Sequence, residues 1–362
     1  MVNSTKKLFF SVKQIFSDNN NWKNYSEKFR NDIRAVEIEE INKMLSCKDL
    51  SRGCFEYKCG NCGKIVIVPF GCNSRLCSSC GKRYTDKWAN NVVRTTFKKI
   101  PYKHLTFSMP EILWKYFHRN MKLYKVMMDA ANKTIQEMFS EVAKKEIKVG
   151  VIMVLHPFGR DIKFKPHVHP IVTYGGFDGS DEFVKLGSYV NYNVFHKKWQ
   201  YNLLTALRKY IPKNIIDYCF SNYPKGFVAY IRPDVIWGGL SLAKYIARYV
   251  RHPAIAASRI VGYDGRVVKF YYDDHVGKRH FVEMRVEQFI AAIIQHIPEK
   301  NMRLIRYYGA HARNQVSIMR KKLKQSVIVE FSEGKREEKF VIYCPDCFEK
   351  MDFVRYCVKP PD

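Results

Sequence analysis

The feature that most constrains the fold of this chain is a concentration of cysteines near its start. Seven of the eleven cysteines fall in one short stretch: Cys47, Cys54, Cys59, Cys62, Cys72, Cys77 and Cys80. The pairs Cys59–Cys62 and Cys77–Cys80 are CxxC motifs, each of which places two thiolates on one side of a tight turn. Because the first residues contain no secretion signal, the pattern favours metal ligation over a disulfide framework.

The spacing of the two pairs predicts a structural zinc site. Fourteen residues separate Cys62 from Cys77, which is close to the spacing found in zinc ribbons. The predicted ligands are Cys59, Cys62, Cys77 and Cys80, with Cys54 and Cys72 as alternatives. Four thiolates leave no open position for water, so we expect the site to serve folding or DNA contact and not catalysis.

A third CxxC pair lies near the end of the sequence. Cys344 and Cys347 enclose a proline and an aspartate, and this pair would supply half of a second zinc site. Cys357 is a candidate third ligand, whereas the neighbouring sequence offers no obvious fourth one.

Basic residues are in large excess along the whole chain. The 62 lysines and arginines against 34 acidic residues give a net charge of +28. Because these charges are not confined to one tail, the folded body carries a positive field, whose commonest partner is nucleic acid. A solubility role, an anionic membrane surface or a ribosomal contact are the alternatives. No apolar stretch has the length of a membrane span, so we expect no membrane insertion and a cytoplasmic protein.

Hydrophobic periodicity predicts a mixture of helices and strands, and therefore an α+β fold. One hairpin is predicted from residues 149–158 and 165–176, and another turns at Asp264–Gly265. A long helix is predicted over residues 113–145. The expected parts are residues 1–100 as a helical and zinc-binding domain, residues 101–300 as a central domain, and residues 301–362 as a basic extension.

The segment KPHVHPIVT carries the first candidate catalytic residues. In a strand, residues two apart point to the same face, so His167 and His169 project together and could grip one divalent cation. His156, on the preceding strand of the hairpin, is the candidate third ligand. Surface histidines on an exposed strand are the alternative interpretation of this pattern.

The segment KYIARYV carries the second candidate. Tyr245 and Tyr249 are four residues apart and would share one face of a helix. A tyrosine oxygen can act as a covalent nucleophile, and its attack on DNA phosphorus would leave a 5′-phosphotyrosine. With 23 tyrosines in the chain, simple packing of this pair is the alternative.

The order of these motifs resembles that of the HUH nucleases and, among them, the IS91-like rolling-circle transposases. The family's zinc-binding segment is matched by KCGNCG and GCNSRLCSSCGKRYTDKW, with Leu76 where the family usually has histidine. The remaining blocks are an opening strand HLTFSMP, an HUH strand PHVHPIVTYGG, a nucleophile helix YIARYVRHPAIAASRI, and the C-terminal HIPEKNMRLIRYYGAHAR and CPDC.

The resemblance implies an HUH nuclease domain with a central antiparallel sheet flanked by helices, beside an N-terminal helical and zinc-ribbon module. It implies a transposase that cleaves and rejoins single-stranded DNA at transposon ends and target DNA, through a 5′-phosphotyrosine intermediate and without a nucleotide cofactor. His167 and His169 would hold Mg²⁺ or Mn²⁺, and Tyr245 and Tyr249 would be the nucleophiles. Such a protein is expected in the bacterial cytoplasm, in association with the nucleoid.

The basic and aromatic residues are candidates for DNA contact, because single-strand binders combine a positive groove with rings that stack on bases. The segment Arg303 to Asn314 is one candidate; a helix with a solvated basic face and buried tyrosines is its alternative. The candidate DNA-binding residues are Arg75, Lys82, Arg83, Lys244, Arg248, Arg303, Arg306, Tyr307 and Arg313.

Two other functions remain open at this level. A plasmid replication initiator or relaxase would use the same chemistry, although the N-terminal cysteine module argues against it. A zinc-dependent DNA-binding regulator without catalysis belongs to a different class, and in it the histidines and tyrosines named above would be ordinary fold residues.

Overall fold

The computed structural model of the chain describes residues 10–74, 76–81, 83, 96–97, 100–187, 190–238, 241–242, 245, 254–274, 276–312, 314–315 and 341–357. These residues form two compact units, each assembled from separate stretches of sequence. The first unit draws on Met1–Thr85, Arg251–Ile297 and Ser332–Asp362, and the second on Asp86–Val250 and Pro298–Phe331. No helix in this described part is long and apolar enough to cross a membrane.

Helices and antiparallel strands both occur among the described residues, which confirms the α+β class. The α-helices are α1 (Val12–Ser17), α2 (Asn21–Lys28), α3 (Ala35–Leu45), α4 (Glu111–Phe117), α5 (Met121–Ala143), α6 (Tyr192–Leu207), α7 (Lys213–Asn222) and α8 (Val286–Ile294). The strands are β1 (Cys54–Cys59), β2 (Ile65–Pro69), β3 (Pro101–Ser108), β4 (Val151–Phe158), β5 (Phe164–Thr173), β6 (Gly175–Phe177), β7 (Phe183–Lys185), β8 (Ala229–Ile231), β9 (Ile236–Trp237), β10 (Ile260–Tyr263), β11 (Val267–Asp273), β12 (Arg279–Arg285), β13 (Ile305–Tyr308) and β14 (Met351–Cys357).

The division of the chain differs from the consecutive one expected from sequence, 1–100, 101–300 and 301–362. Strands β10 to β12 and helix α8 fall inside the predicted central domain but belong to the first unit. Strand β13 falls in the predicted extension and instead completes the sheet of the second unit, whereas β14 joins the first unit.

The second unit is built on an antiparallel sheet in the order β13-β4-β5-β3-β8, with β9 also pairing with β3. Strand β4 is a continuous apolar run because its alternate residues serve two different cores. Val151, Met153 and Leu155 pack in a large cluster that includes residues of α5 and α6. Ile152 and Val154 pack in a second cluster, on the other face of the strand, and the candidate active site lies on this face.

The sequence predicts a secondary structure for three segments of the second unit, and the structure confirms one of these predictions and corrects two. The hairpin predicted at 149–158 and 165–176 is confirmed as β4 and β5, which pair antiparallel. The long helix predicted over 113–145 is two helices, α4 and α5, because the chain turns at Arg119, which has a left-handed φ of 56°. The segment containing Arg303 holds strand β13, so its alternative interpretation as a helix is wrong.

The first unit contains α1 to α3, α8 and two three-stranded sheets, β10-β11-β12 and β14-β1-β2. The turn predicted at Asp264–Gly265 is confirmed between β10 and β11, where Gly265 takes a φ of 92°. The Asp264 carboxylate accepts the backbone N–H groups of Arg266 and Val267, at 2.8 and 2.7 Å, which fixes this turn.

Candidate active site and thiol clusters

Three histidines predicted from sequence come together on one face of the second unit's sheet. His156 on β4 lies directly opposite His167 on β5, and His169 is two residues further along β5 on the same face. One ring nitrogen from each histidine lies within 4.8 Å of those of the other two. The ring centroids of His156 and His167 are 4.7 and 4.8 Å from that of His169. This convergence fits a divalent metal ion.

The hydrogen bonds around the cluster are those expected of metal-binding histidines. His169 Nδ1 lies 2.8 Å from His104 Nε2 and 3.2 Å from Thr106 Oγ1. His167 Nδ1 lies 2.6 Å from the carbonyl oxygen of Lys165. Metal-binding imidazoles usually engage their second nitrogen in this way, which fixes the tautomer and the ring orientation. The nitrogen that would coordinate is then Nε2 in both residues.

His104 connects this cluster to the predicted nucleophile. It lies on β3, is fully buried, and its Nδ1 is 2.7 Å from the hydroxyl oxygen of Tyr245. A continuous line of hydrogen bonds therefore runs from Tyr245 through His104 to His169. His104 is not among the residues predicted from the sequence, although a histidine in the apolar strand HLTFSM is a polar residue that needs buried partners.

The electrostatic surroundings lower the pKa values of His104 and His169 and so keep both rings neutral. Burial lowers the pKa of His104 to about 3, and the nearby Arg232 charge acts in the same direction. Burial also holds the pKa of His169 well below its usual value, and the adjacent His156 and His167 add to this effect. Neutral imidazoles are the form that binds metal ions. Arg232 is itself a positive charge beside the site, where a phosphate would be attracted.

An exposed aromatic pair stands beside the histidines. Tyr230 on β8 pairs with Thr106 on β3, and its ring stacks on that of Tyr192 with 6.4 Å between centroids. The two rings are 46% and 40% exposed, respectively. Large exposed rings next to a site that also carries arginine are what stacking on nucleic-acid bases requires.

The predicted DNA-contacting residues are distributed unevenly. Arg83 and Arg303 are exposed, and Arg306 is half-buried. Tyr307 is half-buried and packs against the apolar cluster of Ile152 and Val154. The following candidates lie outside the described residues: Arg75, Lys82, Lys244, Arg248, Arg313 and the second tyrosine, Tyr249.

The cysteines of the first unit form two clusters of four, and neither is the predicted one. One cluster consists of Cys47, Cys72, Cys77 and Cys80. The other consists of Cys59, Cys62, Cys344 and Cys347. The predicted grouping of Cys59 and Cys62 with Cys77 and Cys80 is therefore wrong, because each pair belongs to a different cluster. Cys54 lies opposite Cys357 on the neighbouring strand, and neither belongs to a cluster.

The first cluster has the geometry of a closed zinc site. All four side chains are buried, and Cys47 Sγ lies 3.6 Å from Cys77 Sγ and 3.7 Å from Cys80 Sγ. In a tetrahedral site with Zn–S bonds of ~2.3 Å, the sulfurs are ~3.8 Å apart. A Cβ at Gly71 would lie only 2.9 Å from Cys80 Sγ, so glycine there leaves room for the sulfur. The Cys72 thiol lowers the pKa of Cys77 to about 4, which favours the thiolate.

Comparison with known proteins gives two family matches. Residues 18–109 match a family model described as "Transposase zinc-binding domain", a range that contains the whole first cluster. Residues 150–318 match a model described as "Putative transposase", a range that contains the three histidines and Tyr245. No solved structure matches the chain.

Two curated relatives are similar over most of their length. "Transposase for insertion sequence element IS801" of Pseudomonas savastanoi pv. phaseolicola is 29% identical over 324 residues, 82% of this chain and 75% of the relative. "Putative transposase y4qJ" of Sinorhizobium fredii is 23% identical over 313 residues, 80% of this chain and 78% of the relative. The family models and the curated relatives thus indicate the same class of protein, and the chain is a transposase. The zinc-binding model narrows the class further: the chain belongs to the IS91-like transposases.

Proposed function

We propose that this transposase cuts and rejoins single-stranded DNA at the ends of its element by a rolling-circle route, with Tyr245 as the first nucleophile. The proposal rests above all on the hydrogen-bonded line from Tyr245 Oη to His104 and on to His169. That line connects the tyrosine oxygen to the three-histidine cluster through the ring of His104, and a tyrosine oxygen can act as a covalent nucleophile. Action on DNA in the bacterial cytoplasm is part of the same proposal and is supported by the similarity to bacterial transposases.

The reaction is a transesterification at phosphorus. The oxygen of Tyr245 forms a bond to a DNA phosphate, and the bond from that phosphorus to the 3′ oxygen of the preceding nucleotide breaks. The tyrosine loses its hydroxyl proton and the departing 3′ oxygen gains one, so atoms and charge balance. The products are a 5′-phosphotyrosine and a free 3′-hydroxyl, which can later attack the phosphotyrosine and reseal a strand. A second tyrosine, Tyr249, is proposed for the other strand.

The histidine cluster is the proposed site for Mg²⁺ or Mn²⁺. His156, His167 and His169 would hold the ion, which when bound would polarise the phosphate that is attacked. Arg232 would attract the same phosphate, and the exposed Tyr192–Tyr230 pair would stack on an unpaired base next to it. These contacts suit a single strand, because stacking needs a base that is free of its complement. The zinc-bearing first unit is proposed to help recognise the ends of the element.

The experiment that tests this function uses labelled single-stranded oligonucleotides taken from the ends of the encoding element. Incubated with protein and Mn²⁺ or Mg²⁺, they should give a covalent protein–DNA adduct on a denaturing gel, and a chelator should prevent it. Mass spectrometry of the adduct should find the nucleotide on Tyr245. Binding of the correct end sequence with no adduct under any divalent ion would instead identify a regulator without catalysis.

His104 should act as a positioning residue for Tyr245, and two conservative variants can separate its contacts. His104→Asn keeps an amide nitrogen near the place of Nδ1, which contacts Tyr245, whereas His104→Gln keeps an amide oxygen near the place of Nε2, which can accept the hydrogen bond from His169. We expect His104→Ala to slow adduct formation about 10²-fold, as a misplaced reacting group does. Relative to His104→Ala, His104→Asn should recover part of the rate of adduct formation. His104→Gln should recover the affinity for Mn²⁺ more fully than the rate of adduct formation.

A matched control exists in the same unit. His311 is also buried and also contacts a tyrosine, Tyr102, at 3.1 Å, but it does not join the three-histidine cluster. His311→Asn should lower thermal stability without a selective loss of adduct formation. If His104→Asn and His311→Asn reduce the rate equally at equal folded fraction, His104 has only a structural role.

A further inference from the structure

We propose that the first unit binds a second zinc ion, held by Cys59 and Cys62 from the N-terminal part of the chain and by Cys344 and Cys347 from its C-terminal part. The inference goes beyond the proposed function, because it does not depend on any step of DNA cleavage. The matched zinc-binding domain covers residues 18–109, so two of the four ligands lie far outside it. Four observations on this part of the first unit carry the proposal.

The two CxxC turns have the same backbone structure. In the first turn, the N–H of Gly63 donates to the carbonyl of Cys59 at 3.0 Å, and the N–H of Cys59 donates to the carbonyl of Lys64 at 2.9 Å. In the second turn, the N–H of Phe348 donates to the carbonyl of Cys344 at 3.0 Å, and the N–H of Cys344 donates to the carbonyl of Glu349 at 2.8 Å. The two segments share only the CxxC motif, and yet they form turns with the same two backbone hydrogen bonds.

The residue after the second cysteine also takes the same conformation in both turns. Gly63 has a φ of 72° and Phe348 a φ of 60°, which places both in the left-handed region. Glycine adopts this conformation freely, whereas for phenylalanine it is strained, because Cβ comes too close to the backbone. The Phe348 side chain is 78% exposed, so burial of its ring does not offset that strain. Its conformation is explained if the turn is held by a ligand that both cysteines bind.

The sulfur atoms are at the separations that one tetrahedral ion imposes. Cys59 Sγ lies 3.4 Å from Cys347 Sγ, and Cys62 Sγ lies 3.5 Å from Cys344 Sγ and 3.7 Å from Cys347 Sγ. The distances are near the ~3.8 Å of a four-thiolate zinc site and far above the ~2.0 Å of a disulfide bond. The Lys64 ammonium also pairs with the Asp346 carboxylate from the opposite turn, at 3.1 Å.

The sheet around this cluster has almost no apolar core of its own. In β14 only Met351 is buried, and the next five residues are exposed. The apolar cluster here has three buried residues, Cys59, Cys344 and Met351, with Tyr57, Val66, Ile342 and Cys347 partly buried around them. Modules with so little buried apolar surface usually depend on a metal or on disulfides for stability. A zinc ion at this place would supply the missing stabilisation and hold β14 against β1.

The test is the zinc content of the purified full-length protein, measured by inductively coupled plasma mass spectrometry. Wild type should contain two zinc ions per chain, and the double variant Cys344→Ser, Cys347→Ser should contain one. The matched control is Cys357→Ser, a cysteine in the same C-terminal segment but outside both clusters, which should keep two. Cys77→Ser with Cys80→Ser should remove the other ion and leave one.

Either of two results would overturn the proposal: one zinc ion in the wild type, or two in the Cys344→Ser, Cys347→Ser variant. If that variant does not fold, Cys347→His is measured in its place, because histidine remains a zinc ligand. Two zinc ions in that variant would support the site, and one would count against it. Since no DNA is present, these results are independent of whether the proposed cleavage reaction occurs.

Discussion

Replacing Tyr245 with phenylalanine is expected to lower the rate of covalent adduct formation by about 10³-fold or more, because the proposed nucleophile is the hydroxyl oxygen that this change removes. The ring is partly buried against an apolar cluster and meets the His104 ring edge-on, with 5.5 Å between centroids. Phenylalanine keeps this packing and removes only the oxygen that lies 2.7 Å from His104 Nδ1. Stability should therefore fall by only ~1 kcal/mol, the contribution of one hydrogen bond.

The control for this variant is Tyr201→Phe. Tyr201 lies on α6 in the same unit and is 56% exposed, so the loss of its hydroxyl should leave the adduct rate unchanged. Tyr249→Phe gives the second comparison, and it should keep the first adduct while impairing strand rejoining. The opposite result, a normal adduct from Tyr245→Phe and none from Tyr249→Phe, would show that Tyr249 acts first.

The histidine cluster could be predicted from sequence because it depends on local structure alone. A strand repeats every two residues, so HxH places both rings on one face without any knowledge of the rest of the fold. His156 joins them because β4 and β5 form a hairpin, whose register follows from a short connection. Each step needs only the residues between 151 and 173.

His104 could not be assigned in this way, because its role depends on pairing between distant strands. Strand β3 lies next to β5 in the sheet, which brings His104 within 2.8 Å of His169, 65 residues away. No motif in the sequence around His104 has a spacing that predicts a contact with His169. A buried histidine does require hydrogen-bond partners, but the sequence cannot state which ones.

The membership of the cysteine clusters also depends on contacts between distant segments, which local sequence does not predict. The spacing between Cys62 and Cys77 resembles that of a ribbon, and yet the partner of each CxxC pair lies elsewhere. Cys59 and Cys62 meet a pair that is more than 280 residues away, because β14 adds to the edge of β1. Cys77 and Cys80 meet Cys47 and Cys72 instead. The spacing within a CxxC pair identifies it as a candidate metal-binding turn. Which other cysteines join that pair in one cluster depends on the strand topology, which the local sequence does not determine.

The double variant His167→Ala, His169→Ala should abolish binding of Mn²⁺ at the candidate active site and with it the formation of the adduct. Two of the three converging imidazoles would be gone, and His156 alone cannot retain the ion at micromolar concentrations. Loss of an outer hydrogen-bond partner already costs about 10- to 100-fold in metal affinity. Loss of the ligands themselves should therefore cost at least about 10³-fold, in both affinity and rate.

The two single variants should differ in a direction that the structure determines. His169 contacts His104 and Thr106, whereas His167 contacts the backbone carbonyl of Lys165. His169→Ala would therefore remove a proposed metal ligand and also the partner that orients the ring of His104 against Tyr245, so it should be the more damaging change. An excess of Mn²⁺ should restore the rate of His167→Ala more fully than that of His169→Ala.

The measurements are Mn²⁺ titration followed by electron paramagnetic resonance and the rate of adduct formation on the same oligonucleotide. His118→Ala is the control, since His118 is exposed in the same unit and lies outside the cluster. The zinc content of the double variant should equal that of wild type, because the thiol clusters belong to the other unit. Unchanged Mn²⁺ affinity in the double variant would place the catalytic ion elsewhere. Lost affinity with normal zinc content would separate the two metals by function, one for cleavage and the other for the fold.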